Sequence, residues 1–488
     1  MKRKMPQIIL AVIGAVLLAA SGVYAGMQIS DADNSDTEQK IIDAIESSDS
    51  NSPGDTNGKD SMQKVRQAYG IIQQNYLEDV EDQQLVEGAI EGMLSTLEDP
   101  HSSYMDVEMM EQFDDQIESS FEGIGAEVSM VNDIVTIVSP IKDSPAEKAG
   151  LRPNDQVLSV DGEELQGLNL NEAVAKIRGE KGTEVVLEIQ RSSVADPFEV
   201  TITRDEIPVE TVYSSTETVE GKKTGIIEIT NFSENTANEF NDQLKTLESE
   251  GIEGLVIDVR ANPGGLLNVA EEILSLFVPS DIPYIQIEDQ NGETMPYYSD
   301  LDEKKDYPIS VVIDEGSASA SEILAIAMKE LGYDVVGKQS YGKGTVQQAV
   351  PLGDGSSIKL TTFKWLSPEG KWINEEGVKP TVEVSQPDYF YTSPVQVEES
   401  FTYDETDSAI SNLQQMLEGL GYEPGRTDGY FDRETEEAVR NFQSDHELEE
   451  TGEVDEETAG VLEANIMEKI REGEDDRQLE KALQELYQ

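Results

Sequence analysis

The chain has 488 residues, with 35 lysines and arginines, 100 aspartates and glutamates, 2 histidines and no cysteine, which gives a formal net charge of −65. The length predicts about three domains. The lack of cysteine excludes disulfide bonds and thiolate metal sites. The acidity disfavours binding to nucleic acid and to anionic lipid head groups, because both require a basic surface. The charge is compatible with adaptation to high salt, where repulsion is screened, and equally with an ordinary, very acidic exported protein.

The N-terminus has the pattern of an export signal. Basic residues at positions 2–4 precede an apolar run at 8–20 and small residues as far as Ala25. The apolar stretch approaches the roughly 20 residues that span a bilayer. Residues 1–25 are therefore predicted to be a cleaved signal or a retained membrane anchor. The anchor is preferred, because the residues before Gly26 form only a fair cleavage site, and either reading places the rest of the chain outside the cytoplasm.

Two segments follow this signal. Residues 26–60 are rich in Asp, Ser, Asn and Gly and are predicted to be a disordered linker. Residues 61–115 have apolar side chains at helical spacing, which predicts a helical N-terminal arm. The apolar faces within 62–113 either pair two copies of the chain into a homodimer or pack on the chain's own core, and the sequence leaves both alternatives open.

Residues 116–205 are predicted to form short strands and one helix. The segment 121–126 reads FEGIGA, and the later segments 144–151 and 155–162 read SPAEKAGL and DQVLSVDG. Together they resemble a PDZ domain, a β-barrel-like module that binds peptide C-termini. A glycine-flanked loop exposes backbone N–H groups that can hold a carboxylate, and the following strand offers an edge to an extended peptide. The predicted peptide-binding residues are Gly123, Ile124, Gly125 and Ala126.

Arg178 ends the predicted helix of this module. An arginine at this place commonly interacts with the carbonyl groups of a helix C-terminus. The family resemblance described below implies a second role, in which Arg178 couples peptide binding to a catalytic site. Both readings stay open at the level of the sequence.

Residues 206–385 alternate between strand and helix patterns, which predicts crossover units and a mixed α/β domain. A buried strand at 309–314 is followed by three serines, Ser317, Ser319 and Ser321, and then by a helix. A serine at a strand-to-helix turn can be an exposed nucleophile. However, Ser319 and Glu322 also fit a capping box, which requires no chemistry.

A nucleophilic serine needs a base. The two histidines, His101 and His446, lie in a turn of the arm and in the C-terminal region, so a histidine base is disfavoured without being eliminated. Lys343 stands between glycines before a strand. A lysine can act as a general base when burial lowers its pKa, although a solvated loop lysine is the commoner case.

Four segments together resemble the carboxyl-terminal processing proteases, a family of Ser-Lys peptidases. They are GSASASEI at 316–323, GKGTVQ at 342–347, GLVIDVRANPGG at 254–265 and LSTLEDPHSSYM at 94–105. The resemblance implies a site composed of Ser319 as nucleophile, Lys343 as base, Gln347 orienting the lysine amine, and backbone N–H groups of Ala320 and of Gly264 or Gly265 as the oxyanion hole. It implies no metal and no cofactor. Lys343 and Gln347 would be roughly 13 Å apart on an extended strand, so a bend near Gly344 is expected.

The C-terminal part begins with a predicted linker at 386–406. Residues 407–466 resemble a peptidoglycan-binding three-helix domain. Residues 467–488 are predicted to form an acidic helical tail, which either packs on another surface through its apolar stripe or is a frayed amphipathic end. The acids between Asp428 and Asp432 lack the spacing of an EF-hand and are predicted to serve as turn and cap residues. The predicted core of the three-helix module is Leu413, Leu417, Leu420, Ala438, Val439, Phe442 and Leu462.

The sequence thus predicts a multidomain α+β and α/β protein: a helical arm, a PDZ domain, a mixed α/β protease core and a small three-helix module. The predicted function is an exported serine endopeptidase, secreted or membrane-anchored and associated with the cell wall, that cleaves envelope proteins recognised by their C-terminal tails. The expected partners are such proteins and peptidoglycan. The alternatives are a non-catalytic, wall-anchored PDZ scaffold and a signalling protease with one dedicated substrate.

Overall fold

The computed structural model describes residues 56–488 except 132–133, 192–193, 195, 396 and 398–399. The predicted signal or anchor and most of the predicted linker therefore lie outside the described residues. The first helix begins at Thr56, inside the stretch that was assigned to the linker. In the described part of the chain, no helix has the length and apolar character needed to cross a membrane.

The N-terminal arm consists of two helices on the surface and a third that joins the core. Its elements are α1 (Thr56–Asn75), α2 (Asp82–Ser95), β1 (Ser103–Met105) and α3 (Val107–Ile117). No side chain of α2 is buried, and the arm exposes Ile71, Leu77 and Met93. Helix α3 differs, because its Phe113 and Ile117 lie in the core of the protease domain. The first two helices thus present an apolar surface that the described chain does not cover.

The PDZ domain is an antiparallel sheet with its own core. Its strands are β2 (Ser120–Gly123), β3 (Ala126–Val131), β4 (Ile134–Pro140), β5 (Gln156–Val160), β6 (Glu163–Glu164), β7 (Glu184–Gln190), β8 (Phe198–Thr203) and β9 (Asp205–Pro208), and its helices are α4 (Pro145–Lys148) and α5 (Leu170–Ile177). The strand order is β3-β4-β5-β7-β8, so β3 is an edge strand. Strands β2 and β9 pair separately, where the chain enters and leaves the domain.

The protease domain is built on a six-stranded sheet of order β10-β11-β12-β15-β16-β19. From β11 onward the pairing is parallel, and every residue of β12 and β15 is buried, as expected for a sheet covered on both faces. The strands are β10 (Val212–Val219), β11 (Lys222–Ile229), β12 (Gly254–Asp258), β15 (Ile309–Ile313), β16 (Asp334–Gly337) and β19 (Val382–Glu383). The core on one face includes residues of α6 (Thr236–Ser249), α7 (Leu267–Leu274) and α8 (Ala320–Glu330).

A second sheet of the protease domain is centred on a long strand, β18. Its members are β13 (Ile285–Glu288), β14 (Thr294–Tyr297), β17 (Thr345–Pro351) and β18 (Ser357–Leu366), together with β1 of the arm. Strand β18 pairs with β17, and also with β1 at one end and β13 at the other. The arm therefore supplies a strand of the sheet that carries the lysine loop.

The C-terminal module includes a 3₁₀ turn (Asp388–Tyr391) and the helices α9 (Ser408–Gly419), α10 (Arg433–Asp445) and α11 (Glu456–Arg471). The core residues expected from the sequence lie in this cluster. Tyr389 and Val395 lie there too, so part of the predicted linker belongs to the module because its large apolar side chains are buried. The carboxylate of Asp432 caps α10 and that of Asp428 pairs with Arg426, the turn and cap roles expected.

The acidic tail ends in α12 (Arg477–Glu485), which lies on the second face of the protease sheet. Its Ala482 and Leu483, with Leu486 just beyond, pack against one side chain from each of the four central strands. Those four are Ile226, Val256, Val312 and Val336. Of the two alternatives for the tail, the structure shows docking, and α12 completes the second layer over the sheet.

Candidate active site

Ser319 occupies a strained turn between β15 and α8. Its backbone has φ +53° and ψ −112°, a conformation that residues with a side chain rarely adopt. Ser319 is 6% exposed and lines a small pocket. A sharp strand-to-helix turn of this kind directs a serine hydroxyl out of the backbone toward a substrate site.

Hydrogen bonds and the pocket distinguish Ser317, Ser319 and Ser321, which their spacing in the sequence alone does not. The Ser317 hydroxyl donates to the Val259 carbonyl oxygen at 2.7 Å, and the Ser321 hydroxyl donates to the Asn262 carbonyl oxygen at 2.9 Å. Both serines are fully buried, and both tie their turn to the loop after β12. Of the three, Ser319 is the one that lines the pocket.

The glycine pair after β12 lies directly against this turn. A Cβ atom on Gly264 would lie 2.8 Å from the Cβ of Ser319, so only glycine permits this approach. The Gly264 N–H donates to Asn262 Oδ1 at 2.9 Å. Among the described residues, no acceptor is bound to the N–H of Gly265 or of Ala320. Of the two glycines considered from the sequence, Gly265 is therefore the one with an N–H available to an oxyanion.

Lys343 is completely buried, which rules out the solvated loop lysine. Its Nζ has no hydrogen-bond partner within the described structure, and its carbonyl oxygen accepts from the indole N–H of Trp365 at 2.8 Å. Burial, and next the positive charge of Lys359, lower the pKa of Lys343 to about 7. A large fraction of the amine is therefore neutral near pH 7, as a general base requires.

Glu322 joins the serine turn to the lysine loop. Its Oε2 accepts from the backbone N–H of Ser319 and from that of Lys343, both at 2.8 Å. Because the backbone nitrogen atoms of Ser319 and Lys343 both lie 2.8 Å from this one oxygen, they are close to each other in space. Oε1 accepts from the Ser340 hydroxyl and the Gly342 N–H. Burial raises the pKa of Glu322, although these four donors oppose the shift. The sequence revealed only the capping-box part of this role.

Gln347 is buried on β17 beside the lysine loop. Its Nε2 donates to Thr345 Oγ1 at 2.9 Å and to Thr361 Oγ1 at 3.0 Å, and its Oε1 has no partner. No hydrogen bond joins Gln347 to Lys343 Nζ in this structure. The pairing of β17 with β18 shifts register between Val346 and Gln347, and the bend expected near Gly344 stays a prediction. Catalytic contacts often tighten only when substrate binds.

The two histidines have different surroundings. His101 is half-buried, and its pKa is lowered by burial and then by the nearby charge of Lys343. His446 stacks on Phe442 in the C-terminal module, with ring centroids 4.3 Å apart. Nothing in the sequence indicated that the charge of Lys343 acts on His101, since 242 positions separate the two residues.

The predicted carboxylate loop of the PDZ domain has its carbonyl groups engaged and N–H groups free. The Gly125 oxygen accepts from the Ile141 N–H and the Ser144 hydroxyl, and the Ile124 oxygen accepts from the Ala146 N–H. Within the described part of the chain, no acceptor is bound to the N–H of Ile124 or Gly125. Ala126 begins the edge strand β3.

Arg178 ends helix α5 close to this loop. Its guanidinium lies 5.2 Å from the ring centroid of Phe121, and its Cγ lies 3.8 Å from a Cβ built on Gly123. Phe121 belongs to β2, which pairs with β9 at the entrance and exit of the domain. Arg178 thus contacts the ladder that connects the domain to the protease and lies close to Gly123, the first residue of the predicted loop.

Comparison with known proteins decides the family. Carboxy-terminal processing protease CtpB of Bacillus subtilis is 49% identical over 486 residues, which cover 99% of this chain and 100% of that protein. This chain belongs to the carboxy-terminal processing proteases. Carboxy-terminal processing protease CtpA of the same organism is 40% identical, covering 88% of this chain and 91% of that protein. The photosystem II D1 C-terminal processing protease is 27% identical, with a TM-score of 0.42 over 66% of this chain and 86% of that chain.

Four family models match different parts of this carboxy-terminal processing protease. Peptidase family S41 matches residues 223–384, a PDZ domain matches 136–191 and a peptidoglycan binding domain matches 406–462. The activating protease CtpB N-terminal domain matches 16–109. The protein is therefore a serine-type peptidase with a PDZ domain and a peptidoglycan-binding-type domain.

Proposed function

We propose that this carboxy-terminal processing protease is an exported endopeptidase with a Ser319–Lys343 dyad, and that it cuts envelope proteins captured by their C-terminal tails. One observation carries the proposal. A serine on a strained turn lines a pocket, and its backbone N–H and that of a fully buried lysine bind the same carboxylate oxygen of Glu322, while the lysine Nζ has no hydrogen-bond partner within the described chain.

The chemistry follows from the protonation state of Lys343. The neutral amine removes the proton of the Ser319 hydroxyl while Oγ attacks the carbonyl carbon of the scissile peptide. The N–H groups of Ala320 and Gly265 stabilise the oxyanion. The C–N bond then breaks, and the ammonium of Lys343 gives its proton to the leaving amine. Lys343 next deprotonates a water that hydrolyses the acyl ester, and Gln347 orients the amine through its Oε1.

The pocket beside Ser319 suggests which residue precedes the cleaved bond. Five of its lining side chains are apolar: Leu267, Ala320, Ile323, Val346 and Trp365. A charged side chain would lose its hydration there without gaining a partner. The proposal therefore includes a preference for a small apolar residue on the acyl side of the scissile bond.

Substrate capture is assigned to the PDZ domain. The unengaged N–H groups of Ile124 and Gly125 bind the terminal carboxylate, and the tail adds to the edge of β3 as a further strand. Arg178 connects the occupied loop to the β2–β9 ladder and so couples capture to catalysis. In binding assays, a tail peptide with a free carboxylate should bind and its amidated form should not. Arg178→Ala should retain binding but lose tail-stimulated cleavage.

Location and assembly are also part of the proposal. The N-terminal segment exports the chain and anchors it or is removed, and the C-terminal module binds peptidoglycan. The exposed apolar surface of α1 and α2 pairs with that of a second copy. Sedimentation should show a dimer for the protein and a monomer for the double variant Ile72→Glu and Met93→Glu. If the double variant has the same mass as the wild-type protein, the proposed dimer contact is wrong.

Peptide hydrolysis tests the enzyme against the scaffold alternative. Ser319→Ala and Lys343→Met should abolish cleavage but retain tail binding, whereas Ser317→Ala should keep the chemical step. Full turnover by Lys343→Met would overturn the dyad, and an inactive wild-type protein would favour the scaffold. Mass spectrometry of products from mixed envelope proteins separates a general protease from one with a single dedicated substrate.

A further inference from the structure

The turn between α2 and β1 of the arm leads into the sheet that carries Gln347. Strand β1 pairs antiparallel with β18, with Ser103 opposite Lys359 and Met105 opposite Ser357. Met105 is buried in the protease core, so the strand holds the turn in place. Within the turn, the His101 N–H donates to Asp99 Oδ1 at 3.0 Å. Asp99 is thereby fixed against the strand that faces Gln347.

Hydrogen bonds lead from Asp99 to Thr361 on β18. The Ser102 hydroxyl donates to Asp99 Oδ2 at 2.5 Å and accepts from the Thr361 N–H at 3.0 Å. Burial raises the pKa of Asp99, but hydrogen bonds from the side chains of Ser102 and Thr361 outweigh it and hold the pKa below its usual value. Asp99 is thus a carboxylate that can only accept, so the Ser102 hydroxyl donates to it and holds the Thr361 backbone through its own lone pair.

The position of Thr361 determines how the Gln347 amide is held. Ser102 fixes the Thr361 backbone directly opposite Gln347 in the β17–β18 pairing, so the Thr361 hydroxyl lies within hydrogen-bond reach of the amide. The Gln347 Nε2 accordingly donates to Thr361 Oγ1, and its second N–H is used by Thr345 Oγ1. The Oε1 atom is left buried and unpartnered, as is Lys343 Nζ. The amide thus keeps its acceptor end for the lysine.

We propose that Asp99 of the N-terminal arm is a positioning residue for the Lys343 base: through Ser102 and Thr361, it fixes the Gln347 amide so that its oxygen faces the amine. This inference rests on the proposed Ser319–Lys343 dyad. It gives the arm a part in catalysis that is separate from any part in assembly. Without Asp99, the Ser102 hydroxyl loses its acceptor and the Thr361 backbone is no longer held in place. The Gln347 amide can then reverse and present its N–H groups, instead of its oxygen, to the lysine amine.

Substitutions at 361 test the orientation. Thr361→Val removes the hydroxyl and should lower kcat about 10- to 100-fold. KM should stay unchanged, because a misplaced catalytic group slows the chemical step without weakening substrate binding. Thr361→Ser restores the hydroxyl and should return kcat to within about threefold of wild type. Asp99→Ala should lower kcat as Thr361→Val does. The matched control is Glu98→Ala on the same turn, which is exposed and should leave kcat unchanged.

The pH profile separates positioning from a general loss of structure. The charged groups that act on Lys343 or His101 here are Lys359, Glu322 and Asp99. Asp99→Asn removes one negative charge, so the rising limb of kcat/KM should move to lower pH. Thr361→Val removes no charge and should lower the plateau without moving the limb. Thermal unfolding verifies that each variant is folded.

The outcomes distinguish this inference from the function on which it rests. If Lys343→Met is inactive while folded Asp99→Ala and Thr361→Val keep wild-type kcat, the positioning role is wrong and the dyad stands. A Thr361→Ser variant as slow as Thr361→Val would also overturn it. If Lys343→Met turns over normally, the dyad itself fails.

Discussion

Arg260 and Asp476, 216 residues apart in the sequence, form a bidentate ion pair in which both N···O distances are 2.8 Å. Arg260 follows β12 and starts the loop that leads to Gly265, and Asp476 is the N-cap of α12. Asp258 also binds the guanidinium, and its charge, with that of Asp476, holds the pKa of Arg260 above its usual value despite burial. The C-terminal helix is thereby attached to the loop that leads to Gly265, the proposed oxyanion donor.

The first prediction concerns this ion pair. Asp476→Ala should lower the free energy of unfolding by about 1.5 to 3 kcal/mol, since it removes hydrogen bonds to a charged group while Asp258 still neutralises Arg260. Urea unfolding at pH 7 measures the change. Burial raises the pKa of Asp476, but Arg260 outweighs it and depresses the pKa below the usual 3.8. The stabilisation is therefore present above about pH 4 and is lost as the pH falls through the lower native pKa. An equal difference between wild type and variant at pH 7 and pH 2 would contradict this.

The second prediction concerns the apolar face of α12. Leu483→Ala should cost about 2 to 5 kcal/mol, because it opens a cavity between the helix and the protease sheet. Gln484→Ala is the matched control, since Gln484 is exposed on the same helix and should change stability by less than about 0.5 kcal/mol. Equal effects of the two substitutions would show that α12 is not docked in solution.

The third prediction concerns the pH dependence of cleavage. Since burial and Lys359 lower the pKa of Lys343 to about 7, kcat/KM should rise with pH through about 7 as the amine loses its proton. Lys359→Gln removes a like charge, so the pKa of Lys343 should rise and the limb should move to higher pH. Lys364→Gln, on the same strand but exposed and paired with Glu288, should leave the limb in place. If the rising limb of the pH profile does not move in Lys359→Gln, the charge of Lys359 does not lower the pKa of Lys343.

The fourth prediction concerns the oxyanion loop. A Cβ on Gly265 would lie 2.2 Å from the carbonyl oxygen of Phe232, so Gly265→Ala must displace the loop. Loss of one oxyanion donor should lower kcat by about 10²- to 10³-fold. Gly460→Ala is the control, because a Cβ there meets no atom within 4 Å and the residue is inside helix α11. That variant should keep full activity and gain up to about 1 kcal/mol of stability.

The fifth prediction concerns the apolar pocket. In a peptide series that differs only in the residue before the cleaved bond, Ala or Val should exceed Asp or Lys in kcat/KM by about 100-fold, or about 2.7 kcal/mol. Liquid chromatography of the products gives the rates and the cleavage position. Equal rates across the series would show that the pocket does not receive this side chain.

Much of the architecture followed from local sequence patterns. The buried strand at 309–313 and the helix of the PDZ domain lie where apolar periodicity placed them. The linker assignment failed at Tyr389 and Val395 because a polar stretch can still bury its few large apolar side chains. The register shift between Val346 and Gln347 arises from pairing with β18, which no local pattern encodes.

The sequence by itself determined the family and the residue types of the site, because the serine run, the lysine between glycines and the glycine pair are short motifs in which neighbouring residues set the local backbone. Only the tertiary structure decided which of the three serines lines the pocket and which glycine N–H is unengaged. It also placed Ser102 beside Thr361 and Asp476 beside Arg260. These relationships join residues far apart in the chain, and the physical reason is that burial, strand register and hydrogen-bond direction are fixed by packing among elements.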